Sequence, residues 1–171
     1  MATGDVKRVY VASSNLTITN LNSLAASSTF LAGWESGAID NTTNLYEDYS
    51  VTAMIKAGAA NCQVGEIRLY LVGMLDDSTW PDVFDGTESA ETVTSAEIRD
   101  AICIFAAGTA TTATNDRVYY LICASVAAVF GGNMPAKFGI FITQTAQTST
   151  NAIAASGNQV TVKGSYRNVA S

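Results

Sequence analysis

The sequence predicts an all-β protein folded as a two-sheet β-sandwich, jelly-roll-like, with long loops and little helix. Apolar and polar residues alternate with a period of two in several short stretches that are rich in Val, Ile, Tyr, Phe and Thr. Clusters of Gly, Asn, Asp and Pro separate these stretches at hairpin-like intervals. The 171 residues are 48% hydrophobic and only 14% charged, which is enough apolar material for one domain with its own core. The pattern contains about eight or nine strands, a number that a two-sheet sandwich accommodates.

The N-terminal segment contains two short extended stretches, 6–12 and 15–19, with turn-forming residues between them. We therefore predict that residues 1–20 form an N-terminal arm or edge strands. Residues 21–171 are predicted to form a single β-sandwich domain.

The stretch 46–56 has the clearest strand pattern in the chain. Four of its apolar residues point the same way: Tyr49, Val51, Ala53 and Ile55. Such alternation places one face on a core and the other towards water or a neighbour. After a turn at 58–61, a second alternating stretch runs from Cys62 to Leu75, and we predict that these two strands pair as a meander.

An acidic window covers residues 76–91, and acidic residues continue beyond it. Eight of the fifteen acidic residues of the chain lie here: Asp76, Asp77, Asp82, Asp85, Glu88, Glu91, Glu97 and Asp100. The simplest interpretation is a solvated, self-repelling loop. The sharper alternatives are an electrostatic face that docks on a basic partner or repels free copies, and a calcium site, although the spacing does not match an EF-hand loop.

The segment after the acidic window carries a helix signal. A capping-box pattern occupies 94–97, and apolar residues recur at helical spacing up to Phe105. The run 101–105 is also continuously apolar, as in a covered strand. We predict at most one helical turn near 95–99, followed by a strand.

The segment from Arg117 to Thr143 is the stretch around which the core is organised. Its first half, RVYYLICASVAAVF, is apolar on both faces, which fits a central strand covered on two sides or a buried helix. Its second half, AKFGIFIT, alternates more clearly. Because β-branched and aromatic residues favour strands, we predict two neighbouring core strands joined by a tight connection that contains Gly131 and Gly132.

The composition argues against several function classes. The formal net charge of −6 argues against binding nucleic acid through its phosphates. The chain has no histidine, so Ser-His-Asp and Cys-His arrangements cannot form. No phosphate loop, dinucleotide fingerprint or zinc spacing occurs, and only paired-carboxylate hydrolysis stays formally open. We predict a protein that is not an enzyme and uses no cofactor.

The three cysteines, Cys62, Cys103 and Cys123, have no metal-ligand spacing. Two of them lie in apolar runs, which indicates small buried residues in a reducing cytoplasm. No apolar segment that resembles a signal peptide follows Lys7 and Arg8, and no uninterrupted apolar run is long enough to span a bilayer. We therefore expect synthesis in the cytosol and no membrane partner.

Three ordered segments carry a resemblance to a class of virion proteins. They are AGWESGAIDNTTNLYEDYSV, EIRLYLVGMLDDSTWPDVFDG and VAAVFGGNMPAKFGIFIT. Together they resemble small proteins encoded in the head-morphogenesis modules of tailed bacteriophages, with a Gly-Trp entry, an acidic turn and a Phe-Gly-Gly corner before an aromatic strand. The likeness runs from Gly33 to Thr143, and the chain departs from it afterwards, where a longer Thr/Ala run replaces the usual small loop.

The resemblance implies a jelly-roll-like capsid decoration (cement) protein, made in the host cytoplasm and located on the outer capsid surface. The implied partners are the major capsid protein and further copies of the chain, as a homotrimer, with no nucleic acid and no membrane. The alternative is a head-fibre, spike or tail receptor-binding protein that recognises a host glycan. Trp34 and Trp80 would offer sugar-stacking platforms, which also keeps a free carbohydrate-binding module open, and a hydrolase is the most distant alternative.

Apolar residues at turns, where a monomer ordinarily places polar ones, indicate the contact surfaces of such a protein. The expected inter-subunit or capsid-facing contacts are Trp80, Pro81, Phe84, Phe130, Gly131, Gly132 and Pro135. Lys7 and Arg8 are expected to provide a basic grip on an acidic capsid shell.

Overall fold

The computed structural model describes residues 4–60, 62–76, 78–146 and 153–169. These residues form eleven strands and two short helices, and the strands make two antiparallel sheets. The elements are β1 (Val6–Tyr10), β2 (Ser14–Asn15), β3 (Ala32–Glu35), β4 (Ile39–Asp40), β5 (Asp48–Lys56), β6 (Glu66–Gly73), β7 (Ser89–Thr92), α1 (Ala96–Ile102), β8 (Cys103–Ala110), β9 (Val118–Cys123), α2 (Val126–Val129), β10 (Lys137–Gln144) and β11 (Gln159–Val169). The predicted all-β, two-sheet sandwich is confirmed.

The two sheets divide the strands almost evenly. Sheet A has the order β1-β11-β5-β9, with β2 also paired to β11. Sheet B has the order β7-β3-β10-β6-β8, with β4 also paired to β10. The described part of segment 1–20 thus takes the edge-strand form, because β1 pairs with β11 from Val6 to Tyr10.

The inner faces of the two sheets form the main core. In β5 the predicted inward residues are buried: Tyr49, Val51, Ala53 and Ile55 are all 5% exposed or less. They face a sheet B set that includes Trp34, Leu69 and Phe138, each 0% exposed. Strict alternation in β5 therefore fixed which of its faces is buried.

A second core covers the outer face of sheet B. Tyr70 and Phe141 point away from the main core and are covered by Phe84, by Val93 and by the apolar side of α1. Sheet B is consequently buried on both faces, which explains the near-continuous apolar sequence of β10. Sheet A has no comparable cover among the described residues.

The predicted pairing of 46–56 with the strand from Cys62 to Leu75 is wrong. In the structure β5 lies in sheet A between β9 and β11, whereas β6 lies in sheet B between β8 and β10. The chain has therefore passed from one sheet to the other between the end of β5 and the start of β6. Alternation specifies which face of a strand is buried, but it does not specify the strand's partner.

The prediction of two neighbouring core strands in 117–143 is also wrong. β9 belongs to sheet A and β10 to sheet B, and the connection between them contains α2 as well as the glycines. β9 is an edge strand with one open face, since Tyr120 is 60% exposed and Ile122 is 61% exposed. The strand that is covered on both sides is β10, whereas the sequence had indicated two-sided cover for the β9 stretch.

The helix signal at 94–99 marks a longer helix than predicted. α1 spans seven residues, Ala96–Ile102, and begins after Ser95, whose Oγ accepts a hydrogen bond from the N–H of Ile98 at 3.3 Å. Ile98 and Ile102 pack on the second core, which stabilises the additional turn. The predicted strand follows directly as β8.

Candidate interaction surface

Loops from both sheets meet at one end of the sandwich, where several of the predicted contact residues lie. The N–H of Ala38 donates to the carbonyl of Gly86 at 2.8 Å, and the N–H of Asn41 donates to the carbonyl of Ala136 at 2.9 Å. These bonds join the β3–β5 loop to the acidic window and to the β9–β10 corner. These three loops are therefore joined to one another through backbone hydrogen bonds at this end of the sandwich.

Trp80, Pro81 and Phe84 pack mainly within their own chain. Phe84 is 5% exposed, and its ring meets that of Phe141 edge-on at a centroid distance of 5.4 Å. Pro81 is buried, and Trp80 is half-buried against Gly86. The second core thus accounts for these apolar residues at a turn, and only Trp80 keeps an exposed edge for a contact with another molecule.

The corner after β9 is shaped by the end of α2. Gly131 and Gly132 have φ values of +73° and +98°, a region that side chains with a Cβ rarely adopt. The N–H of Gly132 donates to the carbonyl of Ala127 at 2.7 Å, which closes the helix. Phe130 is half-buried, with its ring 6.5 Å from that of Phe138. The two glycines and the half-buried Pro135 leave the corner accessible.

Lys7 and Arg8 are both exposed on β1. Arg8 lies beside Gly132 around an open cavity of about 520 Å³ that Asp48 and Arg167 also line. The structure therefore brings Arg8 and the glycine corner together, as parts of one depression at the end of sheet A. Trp80 belongs to the cover of sheet B and does not line this cavity.

Two carboxylates of the acidic window, Asp76 and Asp82, accept hydrogen bonds from nearby backbone N–H and hydroxyl groups. Asp76 accepts the N–H groups of Ser78 and Thr79 at 2.7 and 2.6 Å. Asp82 accepts the hydroxyl and the N–H of Thr94 at 2.7 and 2.9 Å. These hydrogen bonds hold the pKa of both carboxyl groups below the usual range. Asp76 and Asp82 therefore keep their negative charge, and they hold the backbone around them in a defined conformation.

Glu88 ties the acidic window to the core. Its Oε1 accepts the indole N–H of Trp34 at 2.6 Å and the backbone N–H of Asn20 at 2.7 Å, and its Oε2 accepts the side-chain amide of Asn20 at 3.0 Å. Trp34 is 0% exposed. It is a core residue, so the stacking platform considered for it is excluded.

The acidic residues do not converge on one point. Within the described ranges, no group of three or more cysteine, aspartate or glutamate side chains could hold a metal ion. Asp77, one of the predicted acidic residues, lies outside those ranges. The geometry of the described carboxylates thus gives no calcium cage.

One buried carboxyl group lies beneath the acidic window. Glu35 is 1% exposed, and its Oε1 accepts the N–H groups of Gly86 and Asp85 at 2.7 and 3.2 Å. Its Oε2 is buried and has no hydrogen-bond partner among the described residues. Burial raises the pKa of Glu35 to about 7. Sequence reasoning did not single out this residue, because a lone Glu after a Gly-Trp pair carries no distinctive signal.

The uncovered outer face of sheet A is the largest feature that sequence reasoning missed. Tyr120 and Ile122 point outward on β9, with Val118 in the same row at 37% exposure. Their register places Met54 opposite Tyr120 and Thr52 opposite Ile122. The alternation of β9 would have revealed this face if the strand had been interpreted as an edge strand and not as a central one.

The two broad sides of the molecule carry opposite charge. Four cations make no ion pair with any described residue, and all belong to sheet A or its edge: Lys7, Arg8, Arg117 and Lys163. The acidic window lies on the other side, in the layer that covers sheet B. Sheet A therefore presents a basic, partly apolar face, and the opposite layer presents an acidic one.

Neither helix in the described ranges is long and apolar enough to cross a membrane. No protein-family model, no curated protein and no solved structure matches the chain, so its residues and geometry alone bear on its function.

Proposed function

We propose that the chain is a structural virion protein, a jelly roll that decorates the outer surface of a tailed-phage capsid as a cement protein. Its partners are the major capsid protein and further copies of itself, as a homotrimer. The observation that carries the proposal is the strand order, taken together with the resemblance of the three sequence segments.

The strand order supports the jelly roll in this proposal. When the two-residue strands β2 and β4 and the edge strand β7 are set aside, eight strands remain. Numbered along the chain, they lie in the order 1-8-3-6 in sheet A and 2-7-4-5 in sheet B. Eight antiparallel strands arranged as two Greek keys recur in viral capsid and lectin domains.

The surface supports a protein that works by contact. Tyr10 on β1 and Tyr120 and Ile122 on β9 are each about 60% exposed on the outer face of sheet A, and large exposed apolar surfaces mark contact sites. Arg8, beside the glycine corner, supplies positive charge near the same face. An acidic capsid surface would be attracted to it.

The copy number of the chain in purified virions tests the proposal. A cement protein is expected at a copy number that scales with the capsomers, measured by quantitative mass spectrometry against the major capsid protein. Heads stripped of the chain are expected to burst at lower temperature or milder osmotic shock. Adding the purified chain to stripped heads should restore their stability. Absence of the chain from virions, or no change in head stability, would refute the proposal.

The second candidate is a receptor-binding protein of the fibre, spike or tail. Two exposed tyrosines on one face, Tyr10 and Tyr120, favour it, because flat aromatic rings stack on sugars. This candidate predicts only a few copies per virion and binding to host glycans on an array. Binding that is lost in Tyr120→Ala would support it over the cement protein.

A further inference from the structure

We infer that the outer face of sheet A in one copy of the chain docks on the acidic window of a second copy, in a head-to-tail contact. The inference rests on the self-assembly in the proposed function and names the two surfaces that meet. The two surfaces differ in charge, in position on the fold and in the elements that form them.

The charges favour unlike surfaces over like ones. Arg8 and Lys163 make the sheet A face basic, and Asp82 and Asp85 are exposed in the acidic window on the opposite side. Two sheet A faces, or two acidic windows, would bring like charges together. A heterologous contact brings opposite charges together and avoids that cost.

Both surfaces also combine their charge with exposed apolar groups. On sheet A these groups are Tyr120 and Ile122. At the start of the acidic window Leu75 is 68% exposed, and Trp80 is half-buried nearby in the chain. Apolar contacts supply the attraction that survives in salt, and the surrounding charges select the partner and its orientation.

The strand register places the basic and apolar zones of sheet A side by side. Ile122 of β9 lies in one row with Thr52 of β5 and Thr161 of β11. Two residues further along β11, Lys163 points to the same side, and its Nζ lies 5.5 Å from the ring of Tyr10. A single docked surface can therefore cover both zones.

The size of the face sets the expected strength. Four strands about 4.8 Å apart and roughly eight residues long give a face of about 500 Å². A stable interface buries about 800 Å² on each partner. The contact between two copies is consequently weak in solution. It becomes stronger in a closed ring or on a particle, where each copy contacts one neighbour through its sheet A face and another through its acidic window.

Two charge variants test the contact. The first, Arg8→Glu with Lys163→Glu, replaces two cations of the sheet A face by two anions. The second, Thr87→Lys with Glu91→Lys, halves the formal charge of the acidic window from −6 to −3, and it spares the carboxylates of Asp76, Asp82 and Glu88 that hold the window in place. The control is Val64→Asp, which adds a charge at a position that is 73% exposed and belongs neither to sheet A nor to the acidic window.

Sedimentation velocity from about 1 μM to about 1 mM measures the association. The wild type is expected to associate with concentration and to dissociate as sodium chloride rises. Each charge variant alone should raise the dissociation constant about tenfold or more, whereas Val64→Asp should match the wild type. An equimolar mixture of the two charge variants should associate again, because the first keeps the wild-type acidic window and the second keeps the wild-type sheet A face.

Three results would overturn the inference. They are a wild type that stays monomeric throughout, an acidic-window variant that associates like the wild type, and a mixture that does not restore association. Circular dichroism and thermal unfolding show whether the variants are folded, and Ile122→Thr, which keeps a β-branched residue, provides a second test of the same face. Binding to phage heads is measured separately. If the chain associates with itself but does not bind heads, only the cement role is refuted. If a monomer binds heads, only this contact between copies is refuted.

Discussion

The Oε1 atom of Glu35 accepts the backbone N–H of Gly86 at 2.7 Å, and this bond fixes the acidic window to a carboxyl group in the middle of the fold. The other oxygen, Oε2, is buried with no partner among the described residues. The carboxyl group therefore holds the cover of sheet B in place at the cost of burying its own charge. Its pKa of about 7 results mainly from this burial, which the two backbone hydrogen bonds only partly offset.

The first prediction follows from this pKa. The group titrates near 4.5 in an unfolded chain and near 7 in the native protein, so the native state binds more protons between these values. The free energy of unfolding is then highest at the low-pH end and falls as the pH rises through about 7, by up to about 3 kcal/mol. Urea denaturation from about pH 5 to about pH 8 measures the fall.

The control for this prediction is Glu35→Gln, which keeps the oxygen acceptor and cannot ionise. Its free energy of unfolding should vary little across the same range and should exceed that of the wild type at about pH 8 by about 1–3 kcal/mol. Asp76 and Asp82 have lowered pKa values and affect stability only below about pH 4. An equal slope in the variant and the wild type would rule out Glu35 as the cause.

The second prediction concerns the hydrogen bond from Trp34 to Glu88. Glu88→Ala leaves a buried indole N–H and the N–H of Asn20 without an acceptor, which is expected to lower the free energy of unfolding by about 1–3 kcal/mol. Glu91→Ala is the matched control, since the Glu91 side chain accepts only the hydroxyl of Ser89 among the described residues. Urea denaturation followed by tryptophan fluorescence measures both. Equal losses in the two variants would contradict the prediction.

Alternation in the sequence was enough to predict the fold class and the faces of the best strands. Val51 and Ile55 in β5 are buried as predicted, and so are Phe138 and Ile140, which share one face of β10. These features depend on local spacing, which a single strand displays in its own residues. The buried Cys103 and Cys123 were predicted on the same grounds, from the apolar runs around them.

Neither the pairing of the strands nor the cover of sheet B could be predicted from alternation in the sequence. β5 meets Gln159–Ser165 across more than one hundred residues of sequence, and no local pattern identifies so distant a partner. The burial of Phe84 was missed for a related reason, because the second core forms only when the acidic window folds over sheet B. Turn residues near Trp80 therefore resembled an exposed contact while being part of the interior.

The third prediction concerns the reactivity of the thiols. Burial raises the pKa of Cys103 to about 12 and raises that of Cys123 as well, so both thiols stay protonated in the native protein. Iodoacetamide at about pH 8 should modify neither residue in native protein and both in urea, as mass spectrometry of the digested chain would show. Rapid labelling of Cys103 in folded protein would mean that the cover of sheet B opens readily.

The last prediction concerns the close approach of Gly164 to Tyr46. A Cβ at Gly164 would collide with the ring of Tyr46, and this ring has little room to move because it stacks on Tyr166 at 6.1 Å and meets Tyr49 at 5.4 Å. Gly164→Ala should therefore lower the free energy of unfolding by about 1–3 kcal/mol through overpacking.

Gly37→Ala is the matched control for this substitution. The nearest atom to a Cβ at Gly37 is the carbonyl oxygen of Gly86 at 4.0 Å, and Gly37 does not have a positive φ. The same substitution should therefore change stability there by less than about 1 kcal/mol, and it removes conformational freedom from the unfolded chain. Thermal and urea unfolding of both variants measures the difference. If Gly164→Ala proved as stable as Gly37→Ala, the three tyrosine rings could not be packed as the structure places them, and the edge formed by β1 and β11 would have to be arranged differently.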